Sequence, residues 1–212
     1  ALAAQRAAVV ATDGAVYSEV PNGQLMIEQC ALWDLIYEHL SYFVPTSLEL
    51  ACTRAGLEVA KIGAGFGEQF LWCAAGPGDA RPDAMPDPAE VDAAVGAARA
   101  FGAAATRRVA DAREELAGLV AAGPVALWGA GSKGMTYLNL VADVAPVAGV
   151  VDINPRKSGW GVPGTPLVIS GPEVMVDVQP KTVLVANPVY IAEIAAQLSS
   201  LGVSADVRPL WG

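Results

Sequence analysis

From Pro124 to Gly134 the chain reads Pro-Val-Ala-Leu-Trp-Gly-Ala-Gly-Ser-Lys-Gly, a short apolar run that breaks into glycines and leads into a helix-forming segment. Gly129, Gly131 and Gly134 have G-x-G-x-x-G spacing. That spacing permits a tight turn, close approach of backbone to a ligand, and tight packing of the new helix on its strand. The N–H groups that open the helix favour an anion, and Lys133 brings a positive charge to the same place. A second apolar run, Val147 to Val151, ends in Asp152, about where a ribose-binding acid sits in nucleotide folds. The turn points to a bound phosphate or nucleotide; the alternative is a strand-to-helix corner that glycine merely tightens.

After this turn the pattern alternates strand and helix, with apolar runs at Val125 to Trp128, Val147 to Val151 and Thr182 to Ala186, and a shorter one near Ala205 to Arg208. Right-handed crossovers make this a small parallel sheet covered on both faces, with ligands at the carboxyl ends of the strands. Polar groups collect at those ends: Ser132 and Lys133 after the first run, Asp152, Asn154, Arg156 and Lys157 after the second, Asn187 and Tyr190 after the third. Any one of them alone reads as a cap or turn residue, and their agreement across three strand ends reads as a substrate site.

A chain of 212 residues has ample length for a core, in one large or two small domains. Charged residues are 17% and apolar residues 53%, so it is a folded protein, and no apolar run is long enough to cross a bilayer. The net charge of −9 argues against a general nucleic-acid binder, which needs a basic face. Cys30, Cys52 and Cys73 are odd in number, lie 22 and 21 residues apart among apolar neighbours, and match no common zinc pattern. Buried thiols in a reducing cytoplasm are the expectation, with no metal ligated by this chain.

The first eleven residues pattern as the tail of an amphipathic helix, with no start signal before them, so the chain is expected to begin mid-domain. Ala15 to Val20 alternates as a strand, Leu57 to Ile62 and Phe70 to Ala74 read as two more, and Gly63 to Gly67 is expected to join those two as an antiparallel hairpin. Residues 1–75 are thus expected to end a larger sheet. Residues 76–88, with four prolines in thirteen positions, read as a linker. Asp87-Pro88-Ala89-Glu90 then starts a helix over 89–123. Its stripe at Val91, Val95, Ala98, Gly102, Ala105, Val109, Ala112, Leu116 and Leu119 suits a core helix or a strut between two domains. Residues 124–212 form the domain of the glycine turn.

Trp33 to Phe43 holds the only histidine, His39, next to Glu38 and between Tyr37 and Tyr42. Imidazole is the natural base near neutral pH, although a lone histidine among aromatics also serves as a hydrogen-bonded core or cap residue. On a regular helix Leu35, His39 and Tyr42 share a face while Tyr37 lies roughly 200° from His39. Tyr37 and His39 serve one site only if that helix is broken.

The runs Glu19 to Asn22, Trp33 to Phe43, Ser47-Leu48, Gly56 to Val59 and Gly67 to Phe70, with Trp128 to Gly134, Val151 to Pro155 and Asn187 to Tyr190, resemble the C-terminal half of the sugar-type C-methyltransferases across nearly the whole chain. The resemblance implies the end of a class I methyltransferase sheet, a long linking helix and a small Rossmann-like domain. It implies S-adenosylmethionine as methyl donor, bound mainly by residues outside this chain, zinc in an N-terminal module also outside it, and a nucleotide-linked keto-deoxysugar as substrate. His39 would be the base that forms the enolate, Tyr37 would place a hydroxyl on the enolate oxygen, and Glu38 would orient the imidazole or a sugar hydroxyl. Here Tyr37-Glu38-His39 is one residue shorter than the Tyr-x-Glu-His of the sugar-modifying members. Gly129, Gly131, Ser132, Lys133, Asp152, Asn154, Lys157, Asn187 and Tyr190 would hold the nucleotide sugar. The missing N-terminal half of the same protein is the expected partner, leaving this chain incomplete for catalysis.

Two other readings compete. The glycine turn with Asp152 suits NAD in an oxidoreductase, although about ninety residues after the linker suggest a single mononucleotide-binding half. The other is a non-catalytic module that binds a sugar nucleotide or a protein partner, which fold alone does not exclude.

Overall fold

The computed structural model describes residues 1–36, 39–141 and 143–211. The chain divides into two compact units, Ala1–Ala104 and Ala105–Gly212. Among the described residues, no helix is long and apolar enough to cross a membrane.

In the first unit α1 (Leu2–Thr12) precedes β1 (Val16–Pro21), and α2 (Gly23–Glu28) and α3 (Pro45–Arg54) lead to a hairpin of β2 (Leu57–Gly65) and β3 (Phe70–Pro77). The sheet is antiparallel, in the order β1-β3-β2. Side chains alternate across β3: Leu71, Cys73 and Ala75 pack with Val9, Leu48, Cys52 and Leu57, while Phe70, Trp72 and Ala74 face the other way. The hairpin forms, but its turn lies later than the glycines suggest. Gly63 and Gly65 belong to β2, where a Cβ on Gly63 would come within 2.6 Å of the Trp72 ring. These glycines make room for a tryptophan lying across the strand, and the reversal falls on Phe66, Gly67 and Glu68, all with positive φ.

No regular helix forms over the described part of Trp33 to Phe43. A 3-10 turn at Leu32–Asp34 is followed by irregular backbone at Leu35 and Ile36 and again from His39. The proline-rich stretch 78–87 has no helix or strand and is tied back onto the first unit: Gly78 N–H donates to the Gly56 carbonyl, Arg81 N–H to the Thr53 carbonyl, and Arg54 Nε to the Ala84 carbonyl.

The helix α4 spans Pro88–Ala122, and the division between units falls within it. Asp87 caps it, accepting from Ala89 N–H at 2.8 Å, and Pro88 occupies the first turn. The expected stripe is only half buried. Ala112 and Leu116 enter the second unit's core, whereas Val91 and Val95 remain 40% and 43% exposed.

The second unit contains β4 (Val125–Trp128), α5 (Ser132–Val141), β5 (Gly149–Val151), β6 (Ile169–Ser170), α6 (Met175–Val178), β7 (Thr182–Val185), α7 (Ile191–Ser200) and β8 (Asp206–Pro209). Its five strands are parallel, in the order β6-β5-β4-β7-β8. This is a Rossmann-like sheet whose order reverses between β4 and β7. The two-residue β6, too short to show periodicity, pairs with β5 and extends that wing of the sheet. Buried β4 alternates cleanly: Val125 and Leu127 pack with Leu116, Tyr137, Leu138 and Val150, while Ala126 and Trp128 pack with Val151, Met175, Val183 and Leu198. Both faces are covered, as a parallel sheet requires.

Candidate functional site

A cleft of about 400 Å³ opens at the carboxyl ends of β4, β5 and β7. Its place is the switch point of the sheet, where α/β proteins hold their ligands. Two backbone bonds hold that edge together: Gly129 N–H donates to the Val151 carbonyl at 2.7 Å, and Ala186 N–H donates to the Trp128 carbonyl at 2.9 Å.

The three glycines serve three separate purposes. Gly129 has φ +112°, a conformation that disfavours side chains, and a Cβ there would lie 2.8 Å from Ala186 Cβ. A Cβ on Gly134 would collide with the Gly129 carbonyl oxygen, so the absence of a side chain lets α5 sit directly on the turn. A Cβ on Gly131 would meet nothing within 4 Å. Gly131 is thus the position where backbone lies open to a ligand. Its carbonyl accepts from Met135 N–H at 2.9 Å and starts α5, whose first-turn N–H groups lack intrahelical partners by the geometry of any helix.

Eight of the nine expected substrate residues line the cleft: Gly129, Gly131, Ser132, Lys133, Asp152, Lys157, Asn187 and Tyr190. Asn154 does not. It is exposed and caps the 3-10 turn Pro155–Lys157 by accepting from Arg156 N–H at 3.1 Å. Asn187 caps Pro188–Tyr190 in the same way through Val189 N–H, which uses its side-chain oxygen and not its amide donors.

Asp152 and Lys157 are engaged with the turn itself. Asp152 Oδ2 accepts from Ala130 N–H at 2.9 Å and from Lys157 Nζ at 2.8 Å, and Oδ1 accepts from Asn154 N–H at 2.9 Å. Lys157 Nζ also donates to the Ala130 carbonyl at 3.2 Å. Burial alone would raise the Asp152 carboxyl, but the hydrogen bonds from Lys157, Asn154 and Ala130 and the Lys157 charge outweigh it and hold the group below the usual carboxylate range.

The cleft also includes groups that strand-end reasoning misses. Val185, Ala186 and Ile194 form apolar wall, and Glu193 and Gln197 come from α7. The signal for the last two is their four-residue spacing on the amphipathic helix after Tyr190, which puts both on one face. Trp128 is 4% exposed and packed in the core, although it reaches the cleft wall, and Trp160 is 70% exposed.

The other candidate residues belong to the first unit. Tyr37 and Glu38 lie outside the described residues. His39 is half-buried, with Nδ1 3.0 Å from the Asp34 carbonyl oxygen, and Tyr42 donates its hydroxyl to the same oxygen at 3.2 Å. The two rings meet edge to face at 6.0 Å. Burial, with a smaller push from the Asp34 charge, raises the Tyr42 phenol against the opposing Ile36 N–H, so the hydroxyl remains a donor. Among the described residues no group of three or more His, Cys, Asp or Glu is placed to hold a metal ion.

Comparison with curated proteins finds no match. Comparison with protein families matches residues 90–204, more than half of the chain, to the C-methyltransferase C-terminal domain. With its long helix and Rossmann-like sheet, the chain belongs to the C-methyltransferase C-terminal domain family.

Proposed function

We propose that this chain is the portion of an S-adenosylmethionine-dependent C-methyltransferase that holds a nucleotide-linked keto-deoxysugar and supplies the base for its deprotonation. The observation that carries this reading is the open approach to Gly131 beside the N-terminus of α5, at the switch point of the sheet. A diphosphate suits that position because helix N–H groups and backbone without side chains favour a compact anion. The cleft volume lies in the range that accommodates small ligands.

In this reading His39 removes a proton from the sugar carbon next to the ketone, and the resulting enolate becomes the nucleophile. The Tyr37 hydroxyl stabilises the enolate oxygen, and Glu38 orients the imidazole or a sugar hydroxyl; both roles rest on the motif. S-adenosylmethionine supplies an electrophilic methyl group. The described residues of the first unit offer no glycine-rich turn between a parallel strand and a helix, so none of them is assigned to the donor.

The strand order also invites a dinucleotide, with Asp152 on a ribose. Three donors already occupy its carboxylate, which has about four acceptor positions, so little capacity remains for a ribose diol. Calorimetric titration of the chain with dTDP, NAD and S-adenosylmethionine separates the readings. Saturable binding of dTDP alone is expected. NAD binding in its place would move the site to dinucleotide chemistry, and binding of none of the three would reduce the glycine turn to a packing device.

A further inference from the structure

The Asp34 carbonyl is a fixed acceptor with no proton to give, and His39 Nδ1 lies 3.0 Å from it. Two lone pairs facing each other at that distance would repel. The contact is favourable only when Nδ1 carries the hydrogen, and in a neutral imidazole that leaves Nε2 with the lone pair. Tyr42 donates to the same carbonyl, and Ile36 N–H approaches it at 3.0 Å, so this one oxygen is held from three directions. The edge-to-face contact of Tyr42 with the imidazole, 73° between planes, restricts rotation of the ring that a single hydrogen bond would leave free.

We infer that the Asp34 carbonyl and Tyr42 hold His39 as its Nδ1–H tautomer, so that Nε2 is the proton-accepting atom and Tyr42 is a positioning residue for it. This rests on the reading of His39 as the base and names the atom that does the work. When Nε2 takes a proton, Nδ1–H becomes part of an imidazolium and its bond to the carbonyl becomes charge-assisted, so the same oxygen serves both forms of the ring. The backbone here does for His39 what a carboxylate does in other histidine bases.

His39 is the only histidine in the chain, so its ring nitrogens can be observed by ¹⁵N NMR without ambiguity. Long-range proton–nitrogen correlation on the ¹⁵N-labelled chain, recorded at alkaline pH, reads the tautomer directly. A protonated Nδ1 with an unprotonated Nε2 is expected, and the reverse pattern would overturn the inference. Tyr42→Ala removes both the ring contact and the shared hydroxyl; the Nδ1–H population should fall toward a mixture, whereas an unchanged population would remove Tyr42 from the assignment. The intact methyltransferase tests the underlying base separately. His39→Gln should abolish methyl transfer while dTDP binding persists, and normal turnover would end the base reading whatever the tautomer.

Discussion

Lys157 Nζ lies 2.8 Å from Asp152 Oδ2, and together the two side chains grip Ala130, the carboxylate taking its N–H and the ammonium its carbonyl. The pair therefore fixes the two peptides between Gly129 and Gly131. Because the Asp152 carboxyl is depressed in the folded state, its stabilisation is fully present above the ordinary carboxylate pKa of about 3.9 and is lost as pH falls through the lower folded value. Asp152→Asn should cost about 1 to 2 kcal/mol near neutrality, since it takes the carboxylate from a backbone N–H and breaks the pair with Lys157, whose side chain is 37% exposed and partly screened by solvent. Urea melts of both proteins from neutral pH down to about pH 3 should show the difference shrinking on acidification. A constant difference would mean that the charge on Asp152 contributes nothing.

The glycines permit a sharper separation of fold from binding. Gly134→Ala places a methyl group against the Gly129 carbonyl and should destabilise the second unit by about 2 kcal/mol or more. Gly131→Ala meets open space and should cost only about 0.5 kcal/mol, mostly at the start of α5. Yet the added methyl occupies the ligand's approach. Gly131→Ala is expected to melt close to the parent and to lose at least tenfold in dTDP affinity by calorimetry. Parent-like affinity would place the phosphate elsewhere.

That contrast also shows where sequence patterns stop being informative. The glycine turn and its buried strand are legible because the spacing of Gly129, Gly131 and Gly134 and the run Val125 to Trp128 encode purely local geometry. The Asp152–Lys157 grip is not, because its target, Ala130, is brought there only by pairing of β4 with β5. The described residues near His39 depart from a helix for a different reason. The imidazole and the Tyr42 hydroxyl engage the Asp34 carbonyl, competing for the acceptor that a continuing helix would use. In α4 the three- and four-residue spacing specifies a helix correctly, but periodicity cannot say how much of a stripe finds something to pack against.

The two ends of that stripe should respond differently to truncation. Leu116 is fully buried against β4 and its neighbours, so Leu116→Ala should cost about 3 kcal/mol through lost burial and a residual cavity. Val95, 43% exposed, should lose well under about 1 kcal/mol on the same change. Chemical denaturation of the two variants, followed by circular dichroism, measures both. Equal losses would mean that the N-terminal half of α4 is packed as tightly as the C-terminal half.

The three cysteines provide a reading of the first unit's core. Cys52 and Cys73 are each 1% exposed on neighbouring elements of one cluster, while Cys30 is half-buried before the 3-10 turn. Burial first, and then the proximity of Cys73, pushes the Cys52 thiol up to about 11. At pH 8 almost none of it is thiolate, the form that attacks a disulfide reagent. Titration of the native chain with Ellman's reagent should therefore give one fast equivalent from Cys30, and the other two only on unfolding in denaturant. Cys30→Ser should abolish the fast phase. If two or three thiols react rapidly in the native protein, α3 and β3 open on the timescale of the assay and the apolar cluster around Cys52 and Cys73 is not the stable core of that unit.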